Sequence, residues 1–206
     1  MPVSQFRAPV LCLASASPRR RELLDQLAVP HVLAVPDLNE AVLPGEPAAD
    51  YVVRMARAKA RIAHPHGAGL PVLAADTTVL IDERICGKPV DAEEGIALLL
   101  ALSGRSHEVL TAVALAAAGE VHHRLSRSEV RFRHVSLAEA IAYWNTGEPR
   151  DKAGGYAVQG HGAVFVEYLS GSYSGVMGLP LFETAELLAG AGVSYWLDNA
   201  NGGAPP

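Results

Sequence analysis

The stretch Pro71 to Ile81 (PVLAADTTVLI) constrains this chain more than any other. It is a nearly continuous apolar run of strand length, and such a run marks a strand covered on both faces. A strand of that kind implies packed layers on either side of a sheet. Asp76 stands in the middle of the run. A buried carboxylate without a partner is costly, or it takes up a proton. Asp76 therefore needs a cation, a metal ion or a set of N–H donors. The plainer alternative is an aspartate at a strand end, capping a turn with Thr77 and Thr78.

A second feature lies near the N-terminus, in VLCLASASPRRRELLDQL. Val10 to Ala14 reads as a buried strand, which Ser-Ala-Ser-Pro breaks. Glu22, Leu23, Leu24 and Leu27 then follow helical spacing. Ser17 suits the N-cap, and Pro18 suits the first helical position, where no N–H is needed. Arg19, Arg20 and Arg21 fall in the first turn, the wrong end of the macrodipole for cations. Each is unfavourable there by roughly 0.3–1 kcal/mol when exposed. Free N–H groups and three guanidinium groups at one helix start make an anion site, and phosphate is the natural anion.

The remaining pattern is a loose alternation of strands and helices. His31 to Val35 reads as a strand, and Ala48 to Ala63 as an amphipathic helix marked by Tyr51, Val52, Met55, Ala56 and Lys59. Asp91 opens a helix running to Leu102, with Glu94 placed as in a capping box. Glu108 to Ala118 is a second buried strand, and Ser128 to Val135 a half-exposed one. Ser136 and Glu139 form another capping box, for a helix ending at Trp144. Ala163 to Leu169 reads as a strand, Gly175 to Pro180 as a turn, and Pro180 to Ala189 as the last helix. The pattern predicts a mixed α/β fold, an extended sheet flanked by helices. We expect one domain over residues 1–206, ordered from about 8 to 198, with a flexible tail over 199–206.

The net charge of −5, from 17 basic and 22 acidic residues, argues against a protein that coats nucleic acid. The cationic cluster is local and suits a small anion. No apolar run is long enough to span a bilayer. The N-terminal apolar stretch lacks the basic lead of a signal peptide, and three arginines follow the would-be cleavage site. Cys12 and Cys86 read as buried reduced thiols, in keeping with the cytoplasm. His64 with His66, and His122 with His123, are too closely spaced in loop-like context for a preformed metal site.

Lys88 lies between Gly87 and Pro89, in a loop where backbone can approach a ligand. The spacing is not that of a Walker loop. Asp151-Lys152-Ala153-Gly154-Gly155-Tyr156 is a second lysine loop. Gln159, just beyond it, offers a donor and an acceptor to a planar partner such as a base. Glu40 and Lys59 look like ordinary surface residues by themselves. An arginine-rich helix start, two lysine loops and a buried carboxylate together fit phosphate-ester chemistry. The cations neutralise a polyphosphate, and the carboxylate holds a metal ion or activates water.

Six ordered segments resemble the Maf nucleotide pyrophosphatases along nearly the whole chain: LASASPRRRELL, ARAKA, AADTTV, GKPVDAEE, LSGRSHEVLTAV, and DKAGGYAVQGHGAVFV with the following GLPL. The resemblance implies a Maf/inosine-triphosphatase-like α/β fold, with two lobes around a central cleft. It implies hydrolysis of a nucleoside triphosphate between the α and β phosphates, with a divalent cation (Mg²⁺ or Mn²⁺). Arg19, Thr77 and Gln159 match the dTTP/UTP branch; the 7-methyl-GTP branch tends to an aromatic residue, glutamine and glutamate at those places. By the same resemblance, Asp76 is the general base and Ser15, Arg19 and Arg20 contact phosphate. Lys59 and Lys88 complete the cationic ring, Thr77 and Gln159 set specificity, and Glu40 with Asp76 holds the metal. Asn39 stands where relatives are often acidic, and Gly95 where alanine is usual. The family suggests a homodimer; the charge and the short apolar runs lead us to expect neither nucleic acid nor membrane as partner. The rival readings are a 7-methyl-GTP pyrophosphatase, a non-catalytic nucleotide-binding regulator of cell division, and a plain phosphomonoesterase.

Overall fold

The computed structural model describes residues 8–67 and 69–196, so the tail expected to be flexible lies outside the described residues. A sheet of seven strands organises the chain: β1 (Leu11–Leu13), β2 (His31–Leu33), β3 (Val72–Ile81), β4 (Arg84–Cys86), β5 (Ser106–Ala117), β6 (Glu120–Phe132) and β7 (Val166–Ser170). Their order is β2-β1-β3-β5-β6-β7, with β4 also on β3. The β2, β1 and β3 pairings are parallel, and the rest are antiparallel. The central strand expected over Pro71–Ile81 is therefore the seam between the two halves.

That seam has a gap. β5 runs along one flank of β3 from Val72 to Leu80. On the other flank, β1 is in register only with Val72 and Leu73, and β4 takes over at Val79. Between them, among the described residues, no strand covers residues 74–78. The break at Ser15–Pro18, where β1 turns into helix α1 (Pro18–Gln26), makes the space. A strand otherwise buried on both faces is thus open at one edge, at the position of Asp76.

Helices cover both faces. α2 (Ala48–Ala63) buries Val52, Met55, Ala56, Lys59 and Ala60 on one stripe, against Cys12, Val72, Ala74, Ala112 and Ala114. On the opposite face, α1 and α6 (Leu181–Gly190) pack on Leu11, Leu13, Leu73 and Val113. A third cluster joins Val109, Val130 and Phe132 to α3 (Ala92–Leu102) and α4 (Leu137–Asn145). Two of the three predicted side-chain caps form, while Ser17 holds the N-cap position of α1 without a side-chain hydrogen bond. Asp91 accepts from the Glu94 N–H, and Ser136 with Glu139 forms a complete capping box. Gly95 leaves the room that the Trp144 ring fills, and a Cβ there would overlap the indole. No described helix is long and apolar enough to cross a membrane.

Three local readings need correction. β6 begins at Glu120, not Ser128, through a tight turn at Ala118 and Gly119, both at positive φ. Its first half hid because Val121, His123 and Leu125 give one face only a partly apolar signal. β7 starts later than Ala163, since His161–Phe165 is a 3₁₀ segment. The expected turn over Gly175–Pro180 holds part of a short helix, α5 (Tyr173–Met177), capped by Ser172.

Candidate active site

Side-chain alternation along β3 divides the site between two faces. Asp76 follows Val72 and Ala74 toward α2, where Lys59 is the charged residue of an otherwise apolar stripe. Lys59 Nζ lies 2.6 Å from Asp76 Oδ1 and 2.6 Å from Glu40 Oε1. Lys59 and Asp76 are 8% and 6% exposed, so the pair is a buried one. The plainer reading of Asp76 as a turn cap is excluded, because it sits in mid-strand opposite Ala112.

Thr77 points the other way, toward α1. The Arg20 guanidinium spans three partners: Nε donates to the Gly178 carbonyl at 2.8 Å, Nη2 to Thr77 Oγ1 at 3.3 Å, and Nη1 to Ser15 Oγ at 3.4 Å. Ser15 Oγ also accepts the Ser17 N–H at 3.1 Å, while Ser17 itself makes no side-chain cap. Arg19 Nη1 reaches Asp151 Oδ2 at 3.3 Å across the cleft. Arg21 is exposed and does not line the cavity, so the helix start presents two guanidinium groups rather than three.

Glu40 comes from an irregular loop, which α2 holds. Tyr51 Oη donates to the Glu40 carbonyl at 3.1 Å, and Arg54 Nη2 to the Ala41 carbonyl at 3.0 Å. Arg54 also forks onto both oxygens of Glu46. Asn39 caps this turn, its Oδ1 accepting the Ala41 N–H at 2.9 Å. That role needs no charge, so the departure from an acidic residue at Asn39 leaves Glu40 in place. Lys88 is exposed on its loop, which is tied to the second lysine loop by the Gly154 N–H donating to the Gly87 carbonyl at 3.0 Å. Lys152 itself is engaged, with Nζ on the Glu148 carbonyl and on Asp151 Oδ1, both at 2.6 Å.

Ser15, Arg19, Arg20, Glu40, Lys59, Asp76, Thr77, Lys88 and Gln159 all line one open cavity of about 700 Å³. The electrostatics follow from the burial. Burial pushes the Asp76 carboxyl above its ordinary range, against the opposing pull of Lys59 and Arg20. Burial also acts to raise Glu40, but Lys59, Lys88 and Arg20 together hold it below the ordinary value. Arg20 is lowered by burial. A deep carboxylate thus sits beside a cationic rim, which is an arrangement for a ligand with a chain of negative charge and one reacting centre.

Among the described residues, no group of three or more His, Cys, Asp or Glu side chains could hold a metal ion. Two carboxylates, Asp76 and Glu40, converge on a single ammonium. This donor set does not suit a metal held by protein alone. It does suit a hard divalent cation that keeps its waters and shares phosphate oxygens of a bound nucleotide.

Sequence reasoning did not single out Gly178 or Thr111, which hold Arg20 and Thr77, and named Asp151 only as the start of the second lysine loop. Thr111 lies opposite Thr77 in register, with Oγ1 3.0 Å from Thr77 Oγ1 and 2.7 Å from the Gly175 carbonyl. The available signal was a lone hydroxyl in the apolar run VLTAVAL.

A family model described as Maf-like protein matches residues 10–191. A dTTP/UTP pyrophosphatase of Saccharophagus degradans is 52% identical over 190 residues, covering 90% of each chain. Another of that description, from Bordetella avium, is 49% identical over 195 residues, covering 90% of this chain and 97% of the relative. Among solved structures, a HAM1 protein from Coxiella burnetii aligns with 89% of this chain and 100% of its own, with 22% identity and a TM-score of 0.45.

Proposed function

The chain belongs to the Maf-like proteins, and from that premise we propose that it hydrolyses dTTP and UTP to the monophosphate and pyrophosphate. The observation that carries this reading is that Asp76 and the arginine-bearing start of α1, from distant segments, line the same cavity. The relatives described as dTTP/UTP pyrophosphatases support the substrate class.

In this reading the triphosphate lies along the cationic rim, its terminal phosphates near Ser15, Arg19, Arg20 and Lys88. Asp76 takes a proton from a water molecule as the water oxygen bonds to the α-phosphorus. The bond from that phosphorus to the bridging oxygen breaks, and pyrophosphate leaves with the electron pair. Arg19, Arg20 and Lys88 offset the charge that builds on it. Burial suits Asp76 to this role, because a carboxyl raised above its usual range is a stronger base than an exposed one. Lys59 keeps the acid ionised and oriented through its 2.6 Å contact. A divalent cation held by Asp76 and Glu40 would neutralise phosphate charge. Gln159 offers an amide donor and acceptor to the uracil or thymine edge, where a glutamate would offer acceptors only. Thr77 adds a hydroxyl. The reaction takes place in the cytoplasm, where Cys12 and Cys86 stay reduced.

The test is a panel of UTP, dTTP, CTP, GTP and 7-methyl-GTP, with pyrophosphate and orthophosphate measured separately. Pyrophosphate release with preference for UTP and dTTP is expected. Preference for 7-methyl-GTP, direct release of orthophosphate, or tight binding without turnover in several metals would each replace this reading with one of its rivals.

A further inference from the structure

Gln159 lies in a segment with little regular structure, yet its backbone is tightly held. From Ala157 to Gly162, three N–H groups end on two side chains. The Ala157 N–H donates to Tyr143 Oη at 3.1 Å, the His161 N–H to Glu148 Oε2 at 2.9 Å, and the Gly162 N–H to Glu148 Oε1 at 3.0 Å. The two anchors are themselves joined, Tyr143 Oη donating to Glu148 Oε1 at 2.7 Å. The circuit closes around Gln159, pinning the chain on both sides of it. It also requires close approach, since a Cβ at Gly160 would collide with the Glu148 carboxylate and one at Gly162 would meet the Tyr143 hydroxyl.

Neither anchor lines the cavity. Tyr143 ends the buried face of α4, and Glu148 follows in the next turn. Gln159, by contrast, is exposed and lines the cavity, and its side chain has no hydrogen-bond partner among the described residues. Pinning the backbone fixes where the amide starts and which part of the cavity it reaches, so it pairs with a base only where a polar edge comes within reach. A loop that shifts moves the amide off that edge, and a polar edge left unpaired in the complex is costly.

We propose that Glu148 and Tyr143 are positioning residues for base selection, acting through the loop that carries Gln159. The inference rests on the reading of Gln159 as the base-contacting amide. Glu148 does this as a charged acceptor: burial acts to raise its carboxyl, but Tyr143 and the two N–H groups outweigh it and hold it ionised. Charged acceptors make the shorter and stronger bonds.

The experiment compares Glu148→Gln, Tyr143→Phe and Gln159→Ala, reading kcat and KM for UTP and CTP, inhibition by inorganic pyrophosphate, and thermal melting. Glu148→Gln should raise KM for UTP and lower the preference for UTP over CTP by about tenfold, as Gln159→Ala also should. It should leave kcat within about threefold and pyrophosphate inhibition unchanged, because Glu148 meets the Lys152–Asp151–Arg19 chain only through its backbone carbonyl, which the substitution keeps. Tyr143→Phe, which removes the two hydrogen bonds of the hydroxyl but leaves the Glu148 carboxylate on the His161 and Gly162 N–H groups, should give a smaller shift of the same sign. It decides the matter if Glu148→Gln fails to fold. An equal loss on UTP and CTP, or unchanged selectivity in both clamp variants while Gln159→Ala loses it, overturns the positioning role and leaves the amide reading intact. Unchanged selectivity in Gln159→Ala overturns that reading, and the inference with it.

Discussion

Lys59 Nζ and Asp76 Oδ1 meet at 2.6 Å, a helix residue and a mid-strand residue that are both buried. Glu40 shares the same ammonium from the loop above. This pair lets an acid remain ionised inside a strand that is otherwise apolar, and it places that acid under a cationic rim.

Replacing the acid should therefore cost activity and not the fold. Asp76→Asn is expected to lower turnover by about 10²–10⁴-fold, the range of general-base catalysis. Burial raises the carboxyl, so the folded state holds its ionised form less well than the unfolded chain does. At neutral pH the neutral amide removes that penalty, and the variant should melt within about 2–4 °C of the parent. Turnover near the parent rate would end the general-base assignment.

The same shift sets the acid limb of the rate profile. If Asp76 must be ionised to act, kcat/KM rises with pH through its pKa and then levels off. Burial, partly countered by Lys59 and Arg20, puts that midpoint above the ordinary carboxylate value of about 3.9. A profile of kcat/KM between pH 4 and 8 checks it, and a flat profile down to the ordinary carboxylate range would contradict it.

Gly95 and Trp144 form a packed couple between α3 and α4. Gly95→Ala would normally favour a helix, but here the added methyl meets the indole. We expect a net loss of about 1–3 kcal/mol, as for other overpacked sites. Urea denaturation measures it. Trp144→Leu in the Gly95→Ala background should return part of the loss; additive effects would mean that the two residues are not coupled.

His107 is buried in β5, with Nε2 2.8 Å from Tyr156 Oη and Nδ1 without a hydrogen-bond partner among the described residues. Burial lowers its pKa to about 4. Below about pH 6.5 the unfolded chain gains a proton that the fold refuses, so stability falls as pH drops from there to about 4. The full effect is about 3 kcal/mol at about 1.4 kcal/mol per pH unit. Urea midpoints at pH 7 and 4.5 should fall more steeply in the parent than in His107→Gln. Equal slopes would exclude the histidine as the cause.

Much of the fold could be read along the chain because its signals are local. The capping residues Asp91 and Ser136, the apolar stripe of Ala48–Ala63 and the doubly covered run ending at Ile81 each show their secondary structure within a few residues. The start of β6 did not show, since a strand with one partly polar inner face is recognised only against its partner β5. Among site residues, Asp76 stood out because a charge in an apolar run needs an explanation. Glu40 and Lys59 did so only through family likeness, and Glu148 not at all.

The order of residues was enough to mark Asp76 as a carboxylate in a run fit for burial and to crowd arginines at the start of a helix. Both follow from nearest-neighbour chemistry. Where those groups point, and what they meet, was decided only in three dimensions. β1 leaves β3 after Leu73, alternation turns Asp76 and Thr77 to opposite faces, and α2 carries Lys59 in from a different part of the chain. Such meetings depend on strand register and helix packing, to which every layer contributes and which no short stretch of chain encodes.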